Sequence, residues 1–235
     1  MFYLPVKNSN DKYKINPSKI LGLGLNYQDH IDESKKVNVK GFTKQIPEEP
    51  ILFSKTPNTL IGPEENIVIP KILTEYGFEK IRVDYEAELA IIISDKCKNI
   101  SIEEAYEYIL GYTCMNDVTE RNIQSRERAG WFRGKSFDTF GPIGPEIVLA
   151  NDIKDSQNLN ISCRLNGKIV QQTNTKNMIF SIPQILSFAS KNFTLLPGDI
   201  ITTGTSAGVG PMKKGDVVEV EIENIGILKN YVEEE

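Results

Sequence analysis

Val83-Asp84-Tyr85-Glu86-Ala87-Glu88-Leu89-Ala90-Ile91-Ile92-Ile93 is the most strand-like run in the chain, and it carries acid where the inside of a strand should be dry. Aliphatic and β-branched residues fill its second half, which predicts one extended strand over 83–93. Strand side chains alternate faces with period two, so Glu86 and Glu88 point the same way. Two carboxylates on one face of an Ala- and Ile-rich strand are costly to dehydrate unless they are protonated or bound to a cation. A second predicted strand over 111–117 ends at Asp117, a third acid that completes a hard oxygen-donor set suited to Mg²⁺ or Mn²⁺. The alternative, at this point equally open, is an edge strand whose two glutamates face water.

Working outward, 19–25 predicts a short apolar strand, and the polar segment after it, through Ser34, suits a short helix or turn. Residues 32–50 are polar and weakly periodic, with Gly41, Pro47 and Pro50, which predicts a mobile loop. Short strands are expected at 51–54 and 67–69, around a turn at Gly62-Pro63. Ser101 followed by Glu104 is a capping-box signal for a helix over 102–109. Residues 118–130 read as helix or turn, and 134–144 as a glycine- and aromatic-containing loop. Further strands are expected at 147–149, 159–166 and 168–172, the last two joined by the hairpin signal Asn166-Gly167. Helical spacing with Pro183 near the start predicts a helix over 182–191. Strands at 199–203, 217–222 and 225–232 complete the chain. Many strands with about three short helices predict an α+β, mainly β architecture rather than alternating βαβ units.

The chain has 235 residues, enough for one sizeable core. Lys plus Arg is 27 and Asp plus Glu 32, a net charge of −5 that argues against general affinity for nucleic acid or an anionic membrane. At 40% hydrophobic and 25% charged, the composition is that of a folded globular protein. Apolar runs such as 89–93 fall far below the roughly 20 residues of a membrane-spanning helix. The N-terminus shows no secretory leader, so cytoplasmic residence is expected. Cys97, Cys114 and Cys163 are widely spaced and odd in number, which predicts ordinary reduced thiols. The single histidine, His30, excludes metal sites built from two or more imidazoles of one chain.

Other residues offer chemistry beside the acids. His30 and Glu33 are three apart, so on a helical turn the carboxylate can orient the imidazole as a general base; a surface histidine with an acidic neighbour is the plainer alternative. Arg121, Arg126, Arg128, Arg133 and Lys135 concentrate positive charge inside an acidic protein, which suits a small anionic substrate. For Arg126 and Arg128 a solvated helix face paired with Glu120 and Glu127 is the better expectation. The run from Thr202 to Pro211 offers hydroxyls and unhindered backbone N–H groups, a concavity for carboxylate or phosphate. It lacks the ending of a P-loop, and Gly22-Leu23-Gly24 lacks the third glycine of a dinucleotide fingerprint.

Taken together, 24–33 (GLNYQDHIDE), 84–89 (DYEAEL), 116–124 (NDVTERNIQ), 134–142 (GKSFDTFGP) and 203–210 (TGTSAGVG) resemble, in order and spacing, the fumarylacetoacetate hydrolase family. The similarity is greatest to short single-domain members described as acylpyruvases, oxaloacetate decarboxylases and 2-hydroxyhepta-2,4-diene-1,7-dioate isomerases. The resemblance implies a mixed β-sandwich or β-roll domain over 18–235 after a short N-terminal segment, 1–17, without the larger SH3-like domain of the animal hydrolase. It also implies a homodimer, with Mg²⁺ or Mn²⁺ held by Glu86, Glu88 and Asp117. By the same carry-over Lys135 lies beside the metal, Arg121 and Gln124 contact substrate, and Gly204 and Thr205 hold its carboxylate. His30 and Glu33 match a dyad that activates water, on a segment that orders as a lid in relatives. Where many relatives have proline after the threonine, this chain has Ser206, which implies a more flexible carboxylate pocket. The implied function is metal-dependent hydrolytic C–C cleavage of an acylpyruvate-type 2-oxo acid that leaves a pyruvate enolate, with His30, Glu33 and Lys135 catalytic. Alternatives on the same residues are an oxaloacetate decarboxylase or tautomerase and a 2-hydroxyhepta-2,4-diene-1,7-dioate isomerase. Outside catalysis, a keto-acid binding protein would use the same site.

Overall fold

A computed structural model describes residues 2–36, 46–126 and 130–235. In chain order the hairpin of β1 (Phe2–Pro5) and β2 (Lys12–Ile15) leads to β3 (Ile20–Gly24) and α1 (Gln28–Lys36). Next come β4 (Ile51–Lys55), β5 (Leu60–Ile61), β6 (Asn66–Ile69), β7 (Val83–Tyr85), β8 (Ala87–Ile93), β9 (Ile109–Asn116) and β10 (Thr119–Glu120). Two short helices, α2 (Arg121–Arg126) and α3 (Gly130–Lys135), precede β11 (Gly141–Leu149), β12 (Asn160–Leu165) and β13 (Lys168–Asn174). α4 (Ile182–Asn192), β14 (Ile200–Thr202), β15 (Gly210–Pro211), β16 (Val217–Ile222) and β17 (Gly226–Glu234) complete the order.

The strands form a seven-stranded mixed sheet, β4-β3-β14-β8-β9-β11-β5, and a five-stranded sheet, β13-β12-β16-β17-β6. β8 is central in the larger sheet and buried throughout. Its period-two alternation explains how: Leu89, Ile91 and Ile93 join the main core with Val218, Val220 and Leu228 of the smaller sheet. Ala90 and Ile92 face the opposite way, into a second cluster with Leu4, Ile15, Ile143 and Ile147. The larger sheet is therefore covered on both faces, by the five-stranded sheet on one and in part by the N-terminal hairpin on the other. The mainly β content with a few short helices is what the strand pattern predicts, and the sandwich is what the family resemblance implies.

Local expectations fare unevenly. The run 83–93 is two strands, because Glu86 breaks the ladder: β7 pairs with β10 and β15 in a small sheet of its own, while β8 pairs with β9 and β14. Asn166 and Gly167 adopt φ of 53° and 76°, the left-handed pair that a two-residue hairpin requires. The Ser101 capping box forms, with Ser101 N–H donating to Glu104 Oε2 (2.9 Å) and Glu104 N–H to Ser101 Oγ (3.3 Å). Only a 3-10 turn, Ala105–Tyr108, follows, because Ile109 onward is claimed by β9 between β8 and β11. The predicted loop over 134–144 is shorter than expected, since Lys135 ends α3 and β11 begins at Gly141. Within the predicted loop 32–50, α1 extends to Lys36; residues 37–45 lie outside the described residues. Cys97, Cys114 and Cys163 are buried and unpaired. Among the described residues no helix is long and apolar enough to cross a membrane.

Candidate metal centre and its cavity

The topology gathers four strand ends at one edge of the larger sheet. β8 runs antiparallel to β9 and β14, and β3 runs parallel to β14. The start of β8 (Glu86, Glu88) therefore meets the residue after β9 (Asp117), the turn after β14 (Thr203 to Thr205), and the segment from β3 into α1 (Gly24 to His30). Backbone bonds lock the acidic corner: Glu86 N–H donates to Asn116 Oδ1 (2.9 Å) and Asp117 N–H to Glu86 O (2.9 Å).

One carboxylate oxygen from each of Glu86, Glu88 and Asp117 lies within 4.8 Å of the other two, and all three residues are buried. That removes the alternative of an edge strand facing water. Lys135 Nζ is 2.7 Å from Glu86 Oε2 and also bonds Asp117 Oδ2. Arg121 donates from Nε to Asp84 Oδ2 (2.9 Å), from Nη2 to Glu86 Oε1, and from Nη1 to Gln124 Oε1 (2.5 Å). Glu88 is tied differently: its Oε2 accepts the Gly204 N–H at 2.8 Å, and no ion pair among the described residues falls on it.

Charge explains what this arrangement lacks. Four buried carboxylates, Asp84, Glu86, Glu88 and Asp117, meet three buried cations, Lys55, Arg121 and Lys135, and the more exposed Arg82, which pairs with Asp84 (3.1 Å). Burial raises Glu86, but Lys135 and Arg121 outweigh it and hold the carboxyl at about 2. Glu88 is pushed up to about 8 by burial, with Asp117 and Glu86 adding to the rise and Lys135 opposing it. Burial would lower Lys135, but Asp117, Glu86 and Glu88 hold its ammonium above the ordinary value. An all-oxygen donor set in which Glu88 has no cationic partner among the described residues fits a hard divalent cation.

Most of the residues singled out from sequence meet in one narrow cavity, lined by His30, Glu86, Glu88, Arg121, Gln124, Lys135 and Thr205. Asp117, Glu33 and Gly204 are not part of that lining. His30 Nδ1 is 3.8 Å from Glu33 Oε2, beyond direct hydrogen-bond length, and the same oxygen accepts Gly208 N–H at 2.9 Å. The His30 side chain holds the Glu33 carboxyl below its ordinary range against burial, helped by the Gly208 N–H. Gly204 has φ +87°, and a Cβ there would lie 2.8 Å from Asn26 Cβ, so the turn is built for glycine. Thr205 Oγ1 donates to Ala87 O (3.0 Å) and accepts from Gln171 Nε2 (2.8 Å).

The basic concentration divides. Arg121 and Lys135 turn inward, whereas Arg126 is exposed over the Phe78 ring (5.0 Å) and Arg133 stacks on Tyr76 (5.5 Å). Arg128 lies outside the described residues. Glu120, expected to pair with a solvated arginine, is instead buried and accepts the Ile123 N–H (2.5 Å) at the start of α2. Its charge suits a helix N-terminus better than open solvent.

Three participants carried no local signal. Lys55, on β4, is buried with Nζ 2.8 Å from Asp117 Oδ1, and it donates to Val118 O (3.2 Å) and to Lys135 O. Gln171, on β13, accepts Ala87 N–H (3.0 Å) while holding Thr205, joining the two sheets at the site. Tyr27 lies within the 24–33 motif; its hydroxyl is buried without a hydrogen-bond partner among the described residues, and burial together with Glu88 and Asp29 raises it.

The model of the Fumarylacetoacetate (FAA) hydrolase C-terminal family matches residues 19–233. An oxaloacetate tautomerase of Rattus norvegicus is 41% identical over 92% of this chain and 66% of its own length. The crystal structure of 2-hydroxyhepta-2,4-diene-1,7-dioate isomerase from Mycobacterium marinum superposes with a TM-score of 0.79 at 37% identity, covering 94% of this chain and 76% of that one. That of maleylpyruvate hydrolase from Sphingobium, in complex with manganese(II) and pyruvate, gives 0.76 at 31% identity over 93% and 71%. A family match over nearly the whole chain, joined to a buried carboxylate trio at the sheet edge, establishes that this chain belongs to the fumarylacetoacetate hydrolase family.

Proposed function

We propose that the cavity takes a small 2-oxo acid beside a divalent cation, Mg²⁺ or Mn²⁺, held by Glu86, Glu88 and Asp117, and moves a proton at the carbon next to the oxo group. The observation that carries this reading is the convergence of three buried carboxylates with Lys135 and Arg121 around one small cavity. When bound, the cation supplies Lewis-acid polarisation of the oxo oxygen. Lys135 donates a hydrogen bond to the negative charge developing on that oxygen, in a buried setting where such a bond counts for more than in water. Arg121, presented by Asp84 and Gln124, faces the substrate carboxylate together with Thr205. His30 exchanges the proton, and Glu33, anchored by Gly208 N–H, orients it.

Keto–enol exchange of an oxaloacetate-type diacid is the preferred reaction, because the tautomerase relative is more alike in sequence than the hydrolase (41% against 31%). Hydrolytic C–C cleavage of an acylpyruvate is the second reading, favoured by the His30–Glu33 pair, which supplies a base for water. Both are tested by presenting oxaloacetate, acetylpyruvate and a hydroxymuconate-type diacid side by side with Mg²⁺ or chelator. Metal-dependent acceleration of oxaloacetate keto–enol exchange, lost in Glu88→Gln, is the expected result. Release of pyruvate from acetylpyruvate at a comparable rate would select the hydrolytic reading. Turnover undiminished by chelator would overturn the scheme, and binding without any product would make this a keto-acid binding protein.

A further inference from the structure

Gly22 and Gly24, the pair that cannot make a dinucleotide fingerprint, stand two apart on β3 and so share a face. Each leaves room for an aromatic ring. A Cβ on Gly22 would lie 2.1 Å from Phe53 Cζ, and one on Gly24 would lie 2.8 Å from Trp131 Cη2. Phe53 is the cross-strand partner of Gly22 in the β3–β4 ladder, so its ring lies over a bare backbone. The two rings meet edge to face, with centroids 5.4 Å apart at 62°. Phe53 also carries the Lys135 ammonium 4.9 Å from its centroid, which ties the aromatic pair to the charged side of the cavity.

The cavity therefore has two sides. Glu86, Glu88, Arg121 and Lys135 form the charged one; Phe53 and Trp131, with Leu23 and Leu25, form the apolar one. An acid whose carboxylate and oxo group are drawn to the charges leaves its remaining carbons facing the rings. We infer that Phe53 and Trp131, seated in the Gly22–Gly24 trough, are the specificity-determining wall against which the carbons of a 2-oxo acid beyond its oxo group stop, and which limits the length of chain this site takes. The inference rests on the 2-oxo acid reading above and adds a length limit to it.

Trp131 is the one tryptophan of the chain, so its emission reports on the wall itself. The Mg²⁺-loaded protein is titrated with straight-chain 2-oxo acids from pyruvate to 2-oxooctanoate, followed by tryptophan fluorescence and calorimetry. Short acids are expected to bind with a change in emission, and Kd to rise by about 10-fold or more once the chain meets the wall. Trp131→Ala, read by calorimetry, should shrink the ratio of long-acid to pyruvate Kd by a similar factor; Trp131→Leu and Phe53→Leu give the same reading with a smaller change of volume. A ratio near one in the unaltered protein, or one that no variant changes, would overturn the length limit alone. Failure of every 2-oxo acid to bind would overturn the substrate reading with it.

Discussion

Lys55 shows how much of this site depends on a side chain that never reaches the cavity. Its ammonium and that of Lys135 flank one carboxylate, Asp117, and it also holds the carbonyls of Val118 and Lys135. Burial depresses Lys55, and the adjacent Asp117 opposes that fall. Removing one partner of a buried ion pair strands the other, at a cost of about 3–5 kcal/mol. Lys55→Met should therefore lower the unfolding free energy of the metal-free protein by at least about 3 kcal/mol in urea titrations; a loss under 1 kcal/mol would show that Asp117 is held well enough without it. Asp84 acts one contact further out, since it takes Arg121 Nε on one oxygen and Arg82 Nε (3.1 Å) on the other. Asp84→Asn frees the guanidinium to turn, and a misplacement of about 1 Å can cost 10²-fold. The expected loss in kcat/KM is of that order and falls mainly on KM, because Arg121 is assigned to the carboxylate; steady-state kinetics with kcat and KM resolved checks it. The acids and the His30–Glu33 pair were legible in sequence because strand and helix periods relate near neighbours. Lys55 and Gln171 were not, since the first bonds a carbonyl 63 residues away and the second an amide 84 away.

At the level of elements, the sequence named most strands and misjudged where they stop. Period two and β-branched content locate β8, but no local pattern says that Glu86 will leave the ladder, because that break is set by β7 pairing with β10 and β15 rather than by its own residues. In the same way the Ser101 capping box is genuine chemistry overruled by strand pairing from Ile109. One fastening between elements has a measurable pH signature. Asp199, just before β14, accepts Ser18 N–H (3.0 Å), Ser18 Oγ (2.6 Å), Lys19 N–H (3.1 Å) and Leu196 N–H (2.8 Å), and pairs with Lys19 Nζ. Burial raises its carboxyl, but the Lys19 and Ser18 bonds and the Leu196 N–H outweigh that and leave it below the ordinary value of 3.8. A carboxyl depressed in the folded state binds fewer protons there than in the unfolded chain. Its contribution is therefore complete above the unfolded value and disappears as pH falls through the folded one. Asp199→Asn should cost about 1–3 kcal/mol at pH 7, and the gap between the two proteins should close in acid. Urea melts between pH 7 and pH 2 test this, and a constant gap would contradict it.

For the whole molecule, the connectivity that makes the sandwich also makes the site. The parallel β3–β14 pair, set among antiparallel neighbours, brings the turn after β14 and the start of α1 to the edge where β8 begins and β9 ends. Glu88 to Gly204 and Glu33 to Gly208 then bind strand, turn and helix to one another across long stretches of sequence. Because the carboxylate trio joins the ends of β8 and β9, two inner strands of the larger sheet, a cation held there is coupled to global unfolding rather than to the fraying of one loop. Ligand that binds only the folded state adds RT ln(1 + [L]/Kd), about 2.7 kcal/mol at a concentration 100 times Kd. Chelator-treated protein given Mg²⁺ or Mn²⁺ should gain that increment in denaturant melts, with KCl at matched ionic strength giving none of it. Glu86→Gln and Glu88→Gln should each abolish the gain, since a neutral amide replaces one of the three anionic oxygen donors. Equal melts with and without divalent metal would mean that Lys55, Arg121 and Lys135 alone satisfy the acids, and the trio would then be a structural ion-pair network with no place for a cation.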